Sequence, residues 1–195
     1  MLADHAAMLQ SLARRVVNTA SWPRVGFLFL AYAGLLSALS AAEGRIKERS
    51  GGLGVPDLLH GFTAAELYAR LEAFGPEGRR IYFYAELVDL VYPLVYATFF
   101  AFLLALAARR LFAAGSRWAP LCLLPYGAML ADFLENACFF TVLGAWPARL
   151  DAVATLAGVF NLVKWGLIAL TLPLVVLGLV GTGIAALRGR GSRPG

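Results

Sequence analysis

Histidine, cysteine and lysine each occur only twice in this 195-residue chain, and charged residues of every kind make up 15%. The two histidines, His5 and His60, lie outside every apolar run. The apolar runs therefore hold no His/Cys ligand set for zinc or haem and no nucleophile–histidine pair. Neither a metal nor a cofactor is expected. Cys122 and Cys138 stand about 24 Å apart along one expected helix, too far to bridge, and read as small apolar groups. Gly51-Gly52-Leu53-Gly54 lacks the lysine of a phosphate loop and reads as a turn. Lysine is confined to Lys47 and Lys164, so the net charge of +5 comes from arginine. The arginines sit at helix ends, with no basic stripe interleaved with aromatics. That excludes nucleic acid as a partner and leaves membrane orientation as their role. No internal repeat is present.

What the chain has in abundance is apolar length. It is 60% hydrophobic, with a mean hydropathy of +0.71. Four apolar runs, near 25–42, 81–107, 119–146 and 153–187, predict an all-α polytopic membrane protein, an antiparallel bundle of four transmembrane helices. Residues 1–24 read as an interfacial amphipathic segment, with Leu2, Leu9, Leu12 and Val16 to one side. Residues 25–187 form the transmembrane domain, and 188–195 a basic tail. In the first span, Ala31, Gly34 and Ala38 offer a small-residue face for close packing. The long first loop, 43–80, begins with a solvated charged run, Glu43 to Arg49. It then carries a capping box, Thr63-Ala-Ala-Glu66, which opens a short helix from Ala64 to Phe74 across the bundle mouth. Gly75-Pro76 ends that helix and starts the next. The fourth run is too long for a hydrocarbon core of about 30 Å, so it must tilt, kink at Pro173 or project. Basic residues favour both termini on the cytoplasmic side, nine against seven, in the inner membrane.

Within these runs lies an unusual set of polar residues. Glu86 and Asp89 project about 60° apart on the second span, with Pro93, Tyr92 and Tyr96 following. Asp132, Glu135 and Asn136 share one stripe of the third, and Asn161 and Lys164, with Trp165, mark the fourth. From one membrane boundary, set at Ile81, Trp146 and Ala152, helix rise places Glu86 ~8 Å deep, Asp89 ~12, Asn161 ~14, Asn136 ~15, Glu135 ~17, Lys164 ~18 and Asp132 ~21. Three helices thus converge on one half of the bilayer, beneath the long loop. Ionisable groups at such depth face a protein interior or a cavity. Four carboxylates meet one lysine, so protons, a cation, a cationic ligand or water must offset the excess. Lys164 is expected to pair with Asp132 or Glu135, with Asp89 as the alternative. Pro93 frees the carbonyl of Asp89 for another partner.

Two resemblances accompany these residues. The run Gly75-Pro-Glu-Gly-Arg-Arg-Ile-Tyr, with Glu86-Leu-Val-Asp89-Leu-Val-Tyr-Pro93, Asp132-Phe-Leu-Glu135-Asn136 and Leu162-Val-Lys164-Trp165, resembles uncharacterised bacterial four-helix membrane proteins. That likeness spans about residues 60–170 and implies no function. Four spans, a long first loop and Glu86-Leu-Val before an intramembrane Pro93 resemble the EXPERA group of emopamil-binding sterol isomerases and the sigma-2 receptor. That resemblance implies a cavity opening within the membrane that binds sterols or cationic amphiphiles. It carries over only Glu86. The isomerases also use a histidine near their carboxylates, which no span here supplies.

The leading functional expectation is a cavity for a lipophilic or cationic amphiphilic ligand. Glu86, Asp89, Asp132 and Glu135 would be the acid–base groups, and Tyr92, Tyr96, Asn136, Asn161, Lys164 and Trp165 the binding groups. The alternatives are a proton- or cation-coupled transporter, which with four spans calls for a homodimer, and a structural subunit of a membrane complex. Membrane lipids are partners in every case.

Overall fold

A computed structural model of the chain describes residues 2–113, 116 and 118–191, without the side chains of 2, 3, 6 and 189–191. The side chains of Leu2 and Arg117, and residues 192–195 of the basic tail, lie outside that description. Among the described residues there are six α-helices, two short 3-10 segments and no strand. Four helical stretches are long and apolar enough to cross a membrane: Trp22–Arg49, Ala64–Leu111, Ala119–Ala145 and Asp151–Arg188. The chain is a multi-pass integral membrane protein with an all-α fold.

Helix α1 (Leu2–Thr19) packs under one end of the bundle, with Ala13 fully buried. Helix α2 (Trp22–Arg49) starts on Ser21 with Pro23 in its first turn, where a missing N–H costs nothing. It continues well past the expected end at Ala42. Glu43 to Arg49, expected as solvated loop, is helical with Ile46 fully buried. Among the described residues, no other helix of the chain packs on the expected small-residue face, where a Cβ added at Gly34 would meet nothing within 4 Å and Ala38 is exposed. The side bearing Tyr32, Leu36 and Leu39 faces the bundle's cavity instead.

The loop is therefore short, and a 3-10 turn at Pro56–Leu58 lies within it. Helix α3 (Ala64–Asp89) opens on the predicted capping box. The Thr63 N–H donates to Glu66 Oε2 at 2.7 Å, and the Glu66 N–H donates to Thr63 Oγ1 at 3.2 Å. Leu67, Tyr68, Leu71 and Phe74 pack on Phe139, Val142, Ala154 and Ala157, closing the bundle mouth. At Gly75 the backbone leaves helical geometry, with φ 63°. That left-handed φ suits glycine, and Pro76 restarts the helix.

The second span is not one helix from 81 to 107, as expected. It breaks at Leu90–Val91, and α4 (Tyr92–Leu111) begins afresh with Pro93 in its first turn. The third begins as a 3-10 segment, Ala119–Leu123, before α5 (Leu124–Ala145). Helix α6 (Asp151–Gly191) runs through Pro173 and is about 62 Å long at helical rise. Both cysteines are free.

Helix α5 packs along α6, α4 touches both, and α2 leans on α3 and α4. Helices α2 and α6 scarcely touch among the described residues. That missing contact leaves one side of the bundle open.

Candidate functional site

The break after Asp89 is what assembles the site. Pro93 provides no N–H, and the turn at Leu90–Val91 leaves the Asp89 carbonyl to be satisfied from elsewhere. Asn136, fully buried on α5, supplies the partner. Its Nδ2 donates to Asp89 Oδ2 at 2.8 Å and reaches the Asp89 carbonyl at 3.3 Å. One amide thus holds both the backbone and the side chain of the broken helix end.

The lysine is paired as expected, and with both acids. Lys164 Nζ lies 3.2 Å from Asp132 Oδ1 and 2.5 Å from Glu135 Oε2, and all three residues are buried. The second contact is an ion pair without hydrogen-bond directionality, since Glu135 Oε2 accepts no aligned bond. Tyr96 donates its hydroxyl to Asp132 Oδ2 at 3.0 Å, and Asn161 donates to Glu135 Oε1 at 2.8 Å. Asp89 does not contact the ammonium; its partner is Asn136.

The loop contributes what reading the spans alone did not. Asp57, on the 3-10 turn, is carried in among the helices. Its carbonyl accepts from Asn161 Nδ2 at 3.0 Å and from Trp165 Nε1 at 2.9 Å, while its carboxylate accepts from the Tyr82 hydroxyl at 3.0 Å. The Gly61 N–H donates to Asn161 Oδ1 at 2.7 Å. Asn161 is therefore saturated by the loop and Glu135, which makes it a clamp. His60, on the loop outside the apolar runs, rests its ring 4.9 Å from that of Trp165. Such close approach needs Gly158 on α6, because a Cβ there would fall 1.9 Å from the Phe62 carbonyl oxygen. The acid, the tyrosine and the two glycines, one on the loop and one on α6, are ordinary loop and packing residues in sequence. Only the clamp on α6 reveals them.

Oxygen atoms of Asp57, Glu86 and Asp89 all lie within 4.8 Å of one another. Glu86 is 2% exposed, and its Oε2 has no hydrogen-bond partner. The charge is thus more lopsided than the spans alone indicate: four buried carboxylates and the half-buried Asp57 surround Lys164, the one buried cation among the described residues. Within the Asp57, Glu86 and Asp89 trio, at about 5 Å and an effective dielectric near 20, each pair of ionised acids would repel by roughly 3 kcal/mol.

These groups border a cavity of about 300 Å³. Asp57, Glu86, Asp89, Asp132 and Lys164 line its polar end, together with Tyr82, Tyr92, Tyr96 and Trp165. Glu135, Asn136 and Asn161 stand behind that wall as its supports. Tyr32 stacks on Tyr92 at 5.6 Å, and Tyr92 meets Tyr96 edge-on at 5.3 Å, giving an aromatic flank. Most of the remaining lining is apolar, and Leu36, Leu39, Ile168 and Leu172 in it come from α2 and α6, the two helices that scarcely touch; Ser40 and Glu43 of α2 also border the space. Leu36 and Leu172 form the lips of this gap and are 40% and 43% exposed. Toward α1 the bundle is closed by a plug that includes Phe99, Phe102, Leu103, Cys122 and Val175. No family model matches this chain, and no curated protein or solved structure does either.

Proposed function

We propose that this membrane protein binds a lipophilic ligand that passes sideways from the bilayer between α2 and α6 and turns its polar head toward the carboxylate end. The observation that carries this reading is the cavity's mixed lining: leucines of α2 and α6 that are partly exposed, and the buried acids Glu86, Asp89 and Asp132. The head would meet the Asp132–Lys164 pair and the Tyr92 and Tyr96 hydroxyls. Acid–base chemistry on such a ligand has its groups to hand, with Glu86, Asp89 and Asp132 all at the cavity wall. This agrees with what the resemblance to the EXPERA group implies, through Glu86.

The apolar plug beneath the site argues against a path for ions to the opposite face. The unpartnered Glu86 Oε2 and Asn136 Oδ1 argue against a purely structural polar cluster, whose groups would be paired internally.

The test is retention of a lipophile. Protein purified in mild detergent should release, on organic extraction, a lipophile in near-stoichiometric amount. Ala85→Trp and Leu39→Trp, each filling the cavity from a different wall, should lower that yield at least fivefold while the protein stays folded. Equal yields from all three proteins would refute ligand binding in this cavity.

A further inference from the structure

We infer that Asp57, Glu86 and Asp89 form a binding site for a hard divalent cation, built by the loop turn and the broken end of α3. Three carboxylates converge within 4.8 Å, a span that matches opposite ligands of one ion at about 2.4 Å each. An acidic cluster alone would not make a site; Glu86 supplies the further observation. It is 98% buried by its 2% exposure, it belongs to this convergence, and its Oε2 has no donor from the protein. Carboxylates without a donor at this depth stay ionised only beside a positive charge. The one buried cation among the described residues, Lys164, is already engaged by Asp132 and Glu135.

The surroundings are those of a ligand set held in place. The Tyr82 hydroxyl takes one oxygen of Asp57, and the Asn136 amide takes one oxygen of Asp89. Such outer contacts orient metal ligands. The donors are all carboxylate oxygens, which favours magnesium, calcium or manganese over zinc or copper. A charge of +2 offsets most of the −3 of the trio. The three residues also line the cavity, so coordination positions left open by the protein would face its interior. The ion would fasten the loop to the bundle, because Asp57 is the loop's only acid between Ser50 and Thr63. The inference does not depend on a lipophilic ligand.

The test uses the full chain in detergent, stripped with a chelator and titrated with Mn²⁺, with free ion read by electron paramagnetic resonance. One Mn²⁺ per chain should bind, displaced by Ca²⁺ or Mg²⁺. Glu86→Gln and Asp89→Asn should each weaken it at least tenfold, whereas Glu43→Gln, on the α2 side of the same cavity and paired with Lys47, should leave it unchanged. Circular dichroism would confirm that each variant is folded. No saturable Mn²⁺ binding, or binding indifferent to both trio substitutions in folded protein, would overturn the site. Saturable binding of dodecyltrimethylammonium that Glu86→Gln abolishes, with no Mn²⁺ binding, would also overturn it. An organic cation would then hold these acids, and the lipophilic cavity would stand.

Discussion

Replacing Lys164 by Met will destabilise the protein by about 3–5 kcal/mol, the usual cost of breaking a buried ion pair. The ammonium sits 3.2 Å from Asp132 and 2.5 Å from Glu135, with all three side chains out of solvent. Methionine fills much of the volume but strands both carboxylates. Unfolding in mixed micelles, followed by circular dichroism, measures the loss. Lys164→Met combined with Glu135→Gln or Asp132→Asn should recover part of it, giving coupling energies above about 1 kcal/mol. The corresponding cycle with Asp89→Asn should give coupling near zero, because Asp89 is bound by Asn136. Coupling absent from the Asp132 and Glu135 cycles would mean that the lysine is not held where the geometry places it.

Gly158→Ala is the second large effect. The added methyl would meet the Phe62 carbonyl oxygen at 1.9 Å; the methyl's position is fixed by the helix backbone and the oxygen is itself backbone, so neither can rotate away. Overpacking of this kind costs about 1–3 kcal/mol. The damage should spread along the loop, because Gly61 and Asp57 are pinned to Asn161 one turn further along α6. Amide hydrogen exchange should accelerate across 57–62 while α4 and α5 keep their protection. Unchanged exchange in that segment would show that the loop does not depend on the close approach.

The sequence reading and the geometry agree where one helix decides the outcome. Asp132, Glu135 and Asn136 share a stripe because helical spacing fixes it, and all three are buried. Equal rise along antiparallel helices brought Lys164 level with its two acids. The capping box at Thr63 and the break at Gly75-Pro76 were legible because each is a local signal. Pro93 pointed to the free carbonyl of Asp89, yet apolar length concealed that the helix stops there. Hydropathy does not register a two-residue turn inside a membrane span. Asp57 escaped for another reason. Its place is set by Asn161 and Trp165, about a hundred residues away, and no periodicity links them. The small-residue face on α2 shows the converse, since a packing motif does not by itself provide a neighbour.

The central claim is that the cavity opens to lipid between α2 and α6 and ends at the acids. A lipid-borne diazirine probe, activated in bilayers containing the full chain and mapped by mass spectrometry, tests it most directly. Adducts are expected on Tyr32, Leu36, Tyr92 and Leu172, and Ala85→Trp should remove those on Tyr32 and Tyr92 while leaving labelling of the outward-facing Leu30 and Leu177 intact. Labelling confined to Leu30, Leu177 and other outward positions, with Tyr32 and Tyr92 untouched in the unsubstituted protein, would contradict the claim.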